Sequence, residues 1–349
     1  MATSGTVGMT TVTVQQLIDS GARRAGKLSE ELTVEQVQAA KQALFLLLSS
    51  LTNWGINYWA INKVILGLNP DRFAYDLPVG TVDVLNANYR TVTSVTTGGY
   101  SSSGTAANAF DGVGALTCQL SNNTGSIGIV CSTTYISTIG ILPAVSGSVT
   151  VTLQYSQDNA TWTDVATPGA TNWVAGTWIY YDLDPSATAP YWRIQQSAGA
   201  SMGVHQVVFG TMPIAIPMAR MNRDDYSNLP NRNFTSYRPL QFWFNRTIPQ
   251  PQMQLWPVPN SIQPHLELWL NRYVQDVGDL SGSIEIPQYM LLAIQWGLSH
   301  QMACELPGVP ADRITYCEAE YEKHLKLAQD ENRDKSPIFF AVNISGYTR

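Results

Sequence analysis

Apolar positions along this 349-residue chain switch from helical spacing to alternation and back again. From Val14 to Ala25 the residues Val14, Leu17, Ile18, Ala22 and Ala25 recur at helical spacing, and Gly26 is placed as a stop. A second helix is predicted to open at Thr33, where Thr33 and Gln36 form a capping-box pattern. It runs through Val37, Ala40, Leu44, Leu47, Leu48, Leu51 and Trp54. These two helices are expected to pack as an antiparallel pair. Strand-like runs follow at Ala60 to Leu68, Phe73 to Leu77 and Val82 to Val92. Beyond residue 212, further strands are predicted at Gln241 to Phe244, Gln254 to Pro259 and Leu266 to Tyr273. Pro257 and Pro259 confine the second of these to a sheet edge or strand exit. Helical spacing returns from about Pro287 to Glu305, with Met290, Leu291, Ile294, Leu298 and Met302 on one face. It returns again from Ala311 to Glu331, with Ile314, Cys317, Tyr321, Leu325 and Ala328 inward.

The middle of the chain, from about Thr93 to Gly210, has a different texture. Its charged residues are Asp111, Asp158, Asp164, Asp182, Asp184 and a single Arg193, with no Lys or Glu. Ser, Thr, Gly, Val and aromatics fill the rest, as in short strands joined by tight turns. The runs Ser148 to Tyr155 and Trp178 to Leu183 alternate with the period of two that one buried sheet face demands, and Gln157 to Ala160 reads as a turn. The block is an all-β insertion in a partly helical host.

Its motifs come in a telling order: Asn108 to Gly112, Thr152 to Trp162, Trp178 to Leu183, Tyr191 to Ile194, then Val207 to Gly210. This order resembles the galactose-binding-like jelly roll shared by discoidin (coagulation factor 5/8 type C) modules and several carbohydrate-binding modules. The resemblance implies the sandwich fold and is silent on ligand. It further implies that the loop Asn108 to Gly112, through Asp111, helps hold a structural calcium ion. The alternative is that Asp111-Gly112 is simply a tight turn. Sugar-binding relatives stack a ring on an exposed aromatic at the loop end, and Tyr100, Tyr135 and Trp173 are the candidates, with Trp162, Trp178 and Trp192 assigned to the core.

The flanks carry a second set of motifs. These are Leu51 to Gly55, Tyr75-Asp76-Leu77-Pro78, Arg220 to Tyr226, Leu255 to Pro259, and Ile286 to Met290 opening a helix. Together they resemble the head–tail connector (adaptor) proteins of short-tailed bacteriophages. The predicted fold class is therefore α+β: a discontinuous connector domain of helical bundle plus antiparallel β-structure (residues 1–92 and 213–349) with a jelly-roll sandwich inserted at residues 93–212. The resemblance implies a structural virion protein in the neck, assembled in the bacterial host cytoplasm. It would form a homo-oligomeric ring between the portal and the tail nozzle or fibre proteins and let DNA pass without specific binding. The inserted sandwich would serve as decoration or fibre anchor. The alternative is an attachment protein whose jelly roll binds a host surface glycan.

Composition narrows the field further. A net charge of −6 and no Lys/Arg-rich run leave no electrostatic footprint for nucleic-acid binding. The start of the chain lacks a basic segment followed by an apolar one, and no apolar run is long enough to cross a bilayer, so a soluble cytoplasmic product without membrane insertion is expected. Four cysteines in this length make no disulfide framework.

Candidate chemistry is sparse. No phosphate-binding loop, zinc-protease helix, nucleophile elbow or CxxC occurs. His300, Cys304, Cys317 and His324 sit at helical spacings but match no established zinc pattern, and core packing is the preferred reading. Asp182 and Asp184 alternate on a strand without a cleft, and Asp224-Asp225 fits a structural cap or ion pair. No catalytic residue, cofactor or enzyme is expected. The apolar tail residues Ile338, Phe339, Phe340 and Val342 are candidates for docking onto a neighbouring subunit or portal.

Overall fold

The computed structural model describes residues 11–53, 58–94, 98–120, 124–184, 186–260 and 265–332. The tail candidates Ile338, Phe339, Phe340 and Val342 lie outside these residues, as does Trp54. In chain order the elements begin with α1 (Val14–Ala25), α2 (Val34–Asn53), β1 (Ile61–Gly67), β2 (Ala74–Asp76) and β3 (Thr81–Ser94). The insert follows with β4 (Gly98–Ser101), β5 (Cys118–Gln119), β6 (Ser126–Thr134), β7 (Thr138–Pro143), β8 (Gly147–Ser156), β9 (Thr163–Ala166), β10 (Thr171–Trp173), β11 (Ile179–Asp182) and β12 (Ala189–Gly199). Next come β13 (Gly203–Pro217), β14 (Ala219–Met221), α3 (Arg223–Ser227), β15 (Thr235–Ser236), β16 (Gln241–Asn245), β17 (Gln252–Trp256), β18 (Val258–Pro259) and β19 (His265–Arg272). The order closes with α4 (Gln288–Glu305) and α5 (Ala311–Glu331). The chain divides into two compact units, Met1–Ile61 with Arg272–Arg349, and Asn62–Asn271.

The first unit is helical, and its starts and stops are local. Thr13 Oγ1 accepts from the Gln16 N–H while Gln16 Oε1 accepts from the Thr13 N–H, a complete capping box. Gly26 ends α1 at φ 88°, a left-handed conformation that glycine adopts without strain. Thr33 and Gln36 repeat the box ahead of α2. The helices pack differently from the expected α1–α2 pair, because α4 is the hub against which α1, α2 and α5 all lie. Its burial explains this: Ala293, Gly297, Ser299 and Ala303 are covered as well as the expected Met290, Ile294, Leu298 and Met302. A helix apolar on more than one side is driven to the centre of a bundle. Small residues let the neighbours close in, since a Cβ at Gly21 would meet Met302 Sδ at 3.0 Å and one at Gly297 would meet Leu47 and Tyr321 below 3 Å.

In the second unit one sheet serves two apolar cores. A seven-stranded sheet runs β1-β19-β3-β13-β7-β11, with β5 on β13, and a six-stranded sheet runs β10-β8-β12-β6-β4, with β9 on β8. Ile127, Ile129, Val151, Leu153, Trp173, Trp192 and Ile194 of the six-stranded sheet face Ile139, Ile141, Val204, Val207 and Phe209 in one core. This is the expected jelly-roll-like sandwich of open antiparallel sheets. The other end of the seven-stranded sheet packs Tyr89, Leu266, Leu268 and Leu270 against Phe242, Phe244, Met253 and Leu255 of a four-stranded sheet, β14-β16-β17-β2.

The expected boundaries at residues 92/93 and 212/213 fall inside strands. β13 pairs with β7 over Val204–Gly210 and with β3 over Gly210–Pro217, so one ladder passes from the insert into the flanking strands without a linker. The flanking strands therefore cluster with the sandwich instead of with the helices. Composition changes at the block's edge, whereas hydrogen bonding does not.

Strand β11 fastens the two halves of this unit. Ile179 and Tyr181 pack against the sandwich core. On its other side the Tyr180 ring stacks on His265 of β19, and Asp182 meets Arg90 of β3 at 3.2 Å and Lys63 of β1 at 3.4 Å. Glu267 closes the network with Arg90 at 3.2 Å and Lys63 at 3.1 Å. The carboxylate of Asp182 is thus spent on structure.

Candidate functional site

The outward face of the six-stranded sheet presents a straight row of five residues, one per strand. Tyr100 of β4 is opposite Gly128 of β6, Gly128 is opposite Arg193 of β12, Arg193 is opposite Gln154 of β8, and Gln154 is opposite Asp164 of β9. Alternation puts them there: Ile127, Ile129, Leu153, Trp192 and Ile194, their chain neighbours, are in the core. Four strand spacings of about 4.8 Å make the row roughly 19 Å long.

Its polar members form a relay. Arg193 Nε donates to Gln154 Oε1 at 2.7 Å, and Gln154 Nε2 donates to Asp164 Oδ1 at 2.6 Å. The guanidinium carbon of Arg193 stands 3.9 Å from the ring centroid of Trp162, a cation–π contact. Burial pulls the Arg193 pKa down from its ordinary value, and Tyr100 and Asp164 oppose that shift. At the other end, the ring of Tyr100 lies over Gly128. A Cβ on Gly128 would sit 2.8 Å from both Tyr100 Cζ and its hydroxyl oxygen. Burial pushes the Tyr100 phenol up to about 12, with Arg193 pulling the other way. Tyr191 and the exposed Val130 stand opposite one another in the next outward row.

The sequence candidates are placed unevenly. Tyr100 belongs to this row, although its hydroxyl is covered. Tyr135 is half-buried in the turn between β6 and β7, at the strand ends and away from the row. Trp173 is 1% exposed in the sandwich core and offers no face to a ligand. Trp162, expected in the core, is half-buried beneath Arg193. Trp178 and Trp192 are buried as expected. Arg193, Gln154, Asp164 and Trp162 went unnoticed as a group because only strand register brings them together. The one available signal was that Arg193 is the lone cation of residues 93–212.

The loop proposed for calcium does not fit the ion. Asp111 Oδ1 accepts from the N–H groups of Val113 at 2.8 Å and Gly114 at 3.0 Å, and Asn108 Nδ2 donates to the Thr117 carbonyl. One carboxylate closing its own turn is far from the six to eight oxygens that calcium recruits. Among the described residues no cluster of three or more His, Cys, Asp or Glu could hold a metal.

The remaining constellations are structural. Cys304 is exposed with Sγ 3.6 Å from His300 Nε2, Cys317 is buried and directed to the Arg24 carbonyl, and His324 pairs with Glu320. Asp184 Oδ1 accepts from the Ser186 N–H, and Asp224 pairs with Arg223. Asn222, not an aspartate, caps α3 by accepting from the Asp225 N–H. No described helix is long and apolar enough to cross a membrane.

No family model matches the chain, and no curated protein does. Solved structures do. The chain is similar to the CBM32 of AlyQ in complex with 4,5-unsaturated mannuronic acid, at 16% identity over 34% of this chain and 96% of that one, TM-score 0.30. It is similar to CBM32-1 from a family 31 glycoside hydrolase of Clostridium perfringens, at 14% identity over 34% and 99%, TM-score 0.30. It is also similar to chitosan-binding module 1 of a chitosanase/glucanase from Paenibacillus sp. IK-5, at 16% identity over 35% and 99%, TM-score 0.31. The expected head–tail connector is overturned here. The matching structures named are carbohydrate-binding modules, none of them a virion, portal or tail protein. The flank motifs that carried that resemblance are short, and in the structure their strands belong with the sandwich.

Proposed function

We propose that this is a non-catalytic carbohydrate-binding protein that holds saccharide on the outer face of its six-stranded sheet. The observation that carries the proposal is the row from Tyr100 through Gly128, Arg193 and Gln154 to Asp164, with Trp162 stacked on Arg193. Saccharide recognition needs flat apolar surface for the C–H faces of the rings and fixed polar groups for the hydroxyls. The row supplies both. Trp162, Tyr100 and Tyr191 give aromatic surface, and the Arg193–Gln154–Asp164 relay gives donors and acceptors whose orientation is already set. Preorganisation matters because ordering long side chains on binding would cost affinity. The position differs from the loop-end aromatics expected from sequence, since Trp173 is buried there.

The test is a glycan array, followed by affinity electrophoresis, on the full chain and on Trp162→Ala and Arg193→Ala. Binding by the parent chain and its loss in both variants, with thermal unfolding little changed, is the expected result. A parent chain that retains no glycan, or variants that bind as well as the parent, would count against the sheet face.

A further inference from the structure

We infer that the saccharide bound on this face is acidic, its carboxylate clamped by the two η nitrogens of Arg193; this rests on the sugar-binding reading above. Arg193 is the single Lys or Arg in residues 93–212, and the fold places it in the middle strand of the row. It is held on two sides and open on a third. The guanidinium carbon lies over the Trp162 ring, 3.9 Å from its centroid, and Nε is engaged by Gln154 at 2.7 Å. Among the described residues neither η nitrogen has a hydrogen-bond partner, and Arg193 makes no ion pair, Asp164 being engaged by Gln154 instead.

An arginine left unpaired on a surface usually moves freely. This one is restrained by the Trp162 ring and by the Nε–Gln154 bond, so its outer edge offers two parallel N–H donors. That edge matches the two oxygens of a carboxylate, and such bidentate, charge-assisted contacts are shorter and stronger than neutral ones. A hydroxyl accepts from only one of the two nitrogens in that plane. Two oxygens of a sulfate ester also match the fork, so the sulfated polymer belongs in the panel that tests for a carboxylate. The protein as a whole carries a net charge of −6, so attraction of a polyanion has to come from this local group and not from the molecule's general field.

The experiment compares binding of the full chain to polygalacturonate and alginate, to their methyl-esterified forms, to the carboxyl-reduced polymers, and to dextran sulfate, at one ionic strength. Binding to a carboxylated polymer, weakened about tenfold or more by esterification, is expected. Arg193→Gln should remove the preference for the free acid, and Arg193→Lys, which keeps charge without the fork, should recover only part of it. Equal binding to acid and ester, or stronger binding to the neutral or sulfated polymers, overturns the acidic ligand while leaving the sheet face as a sugar site. Acid-selective binding that survives Arg193→Gln also overturns it, by placing the anion elsewhere. If neither the panel nor a broad array yields any saccharide, the acidic ligand and the sugar-binding function fall together. Should Arg193→Gln fail to fold, the acid–ester comparison on the parent chain still decides.

Discussion

The imidazole of His265 lies against the phenol ring of Tyr180, ring centroids 4.1 Å apart and planes 27° from parallel. One residue belongs to a flanking strand and the other to the insert, so the stack joins the parts that composition separates. His265 is fully buried, and both its ring nitrogens lack partners among the described residues. Burial first, and Arg90 second, hold its pKa down at about 3 from an ordinary 6.5.

That depression makes acid sensitivity predictable. A histidine kept neutral in the native state binds its proton more readily when unfolded, so stability is complete above pH 6.5. It falls as pH drops toward about 3, by up to about 1.4 kcal/mol per pH unit. His265→Phe keeps an aromatic partner for Tyr180 without the titrating group. Urea titrations from pH 7 to pH 4 should show a shallower decline for the variant than for the parent. Two parallel profiles would show that His265 is not responsible.

Arg90 is the keystone of the charge cluster beside that stack. Its side chain is 11% exposed and meets Asp182 and Glu267 at 3.2 Å each. Arg90→Met leaves those two carboxylates facing Lys63 alone. Removing one member of a fully buried pair costs about 3–5 kcal/mol. Asp182 is 39% exposed, which screens part of this, so a loss of about 2–3 kcal/mol is expected. Denaturant midpoints at pH 7 check it, and a change below about 0.5 kcal/mol would show the cluster to be a surface feature.

Gly128 gives the ligand face its floor. Gly128→Ala puts a methyl into the Trp192 carbonyl oxygen and 2.8 Å from Tyr100 Cζ and its hydroxyl oxygen, so the β6–β12 ladder has to give as well as the Tyr100 ring. Overpacking of this kind costs about 1–3 kcal/mol. Saccharide affinity should fall further than the fall in stability alone explains, measured by titration well below the unfolding temperature. Unaltered affinity would remove Tyr100 from the site.

Asp158 holds the turn after β8. Its Oδ1 accepts from the N–H groups of Ala160 and Thr161 and from the Ser156 hydroxyl. Those bonds, the Thr161 and Ala160 amides foremost, lower its pKa to about 2 from 3.8. The stabilisation is present above pH 3.8 and is lost as pH falls through about 2. Asp158→Ala should therefore lower the unfolding temperature at pH 7, with the difference shrinking toward pH 2. A gap that stays constant with pH would point to the turn's backbone alone.

What could be read from sequence was what depends on neighbours in the chain. The Thr33/Gln36 box, the Gly26 stop and the alternation in Ser148 to Tyr155 rest on contacts within a few residues, and each appears where expected. The all-β insert in a partly helical chain followed from such local patterns, and the jelly-roll-like sandwich from the resemblance of its motif order.

The site did not, because Arg193 touches Gln154, 39 positions away, and Trp162, and those meetings depend on which strands pair and in what register. The same holds for α4 at the hub of the helices and for Tyr180 against His265. Local periodicity states which face of a strand or helix is apolar. Only the closed packing of distant strands decides which polar residues on the opposite face become neighbours, and on this protein that decision makes the candidate site.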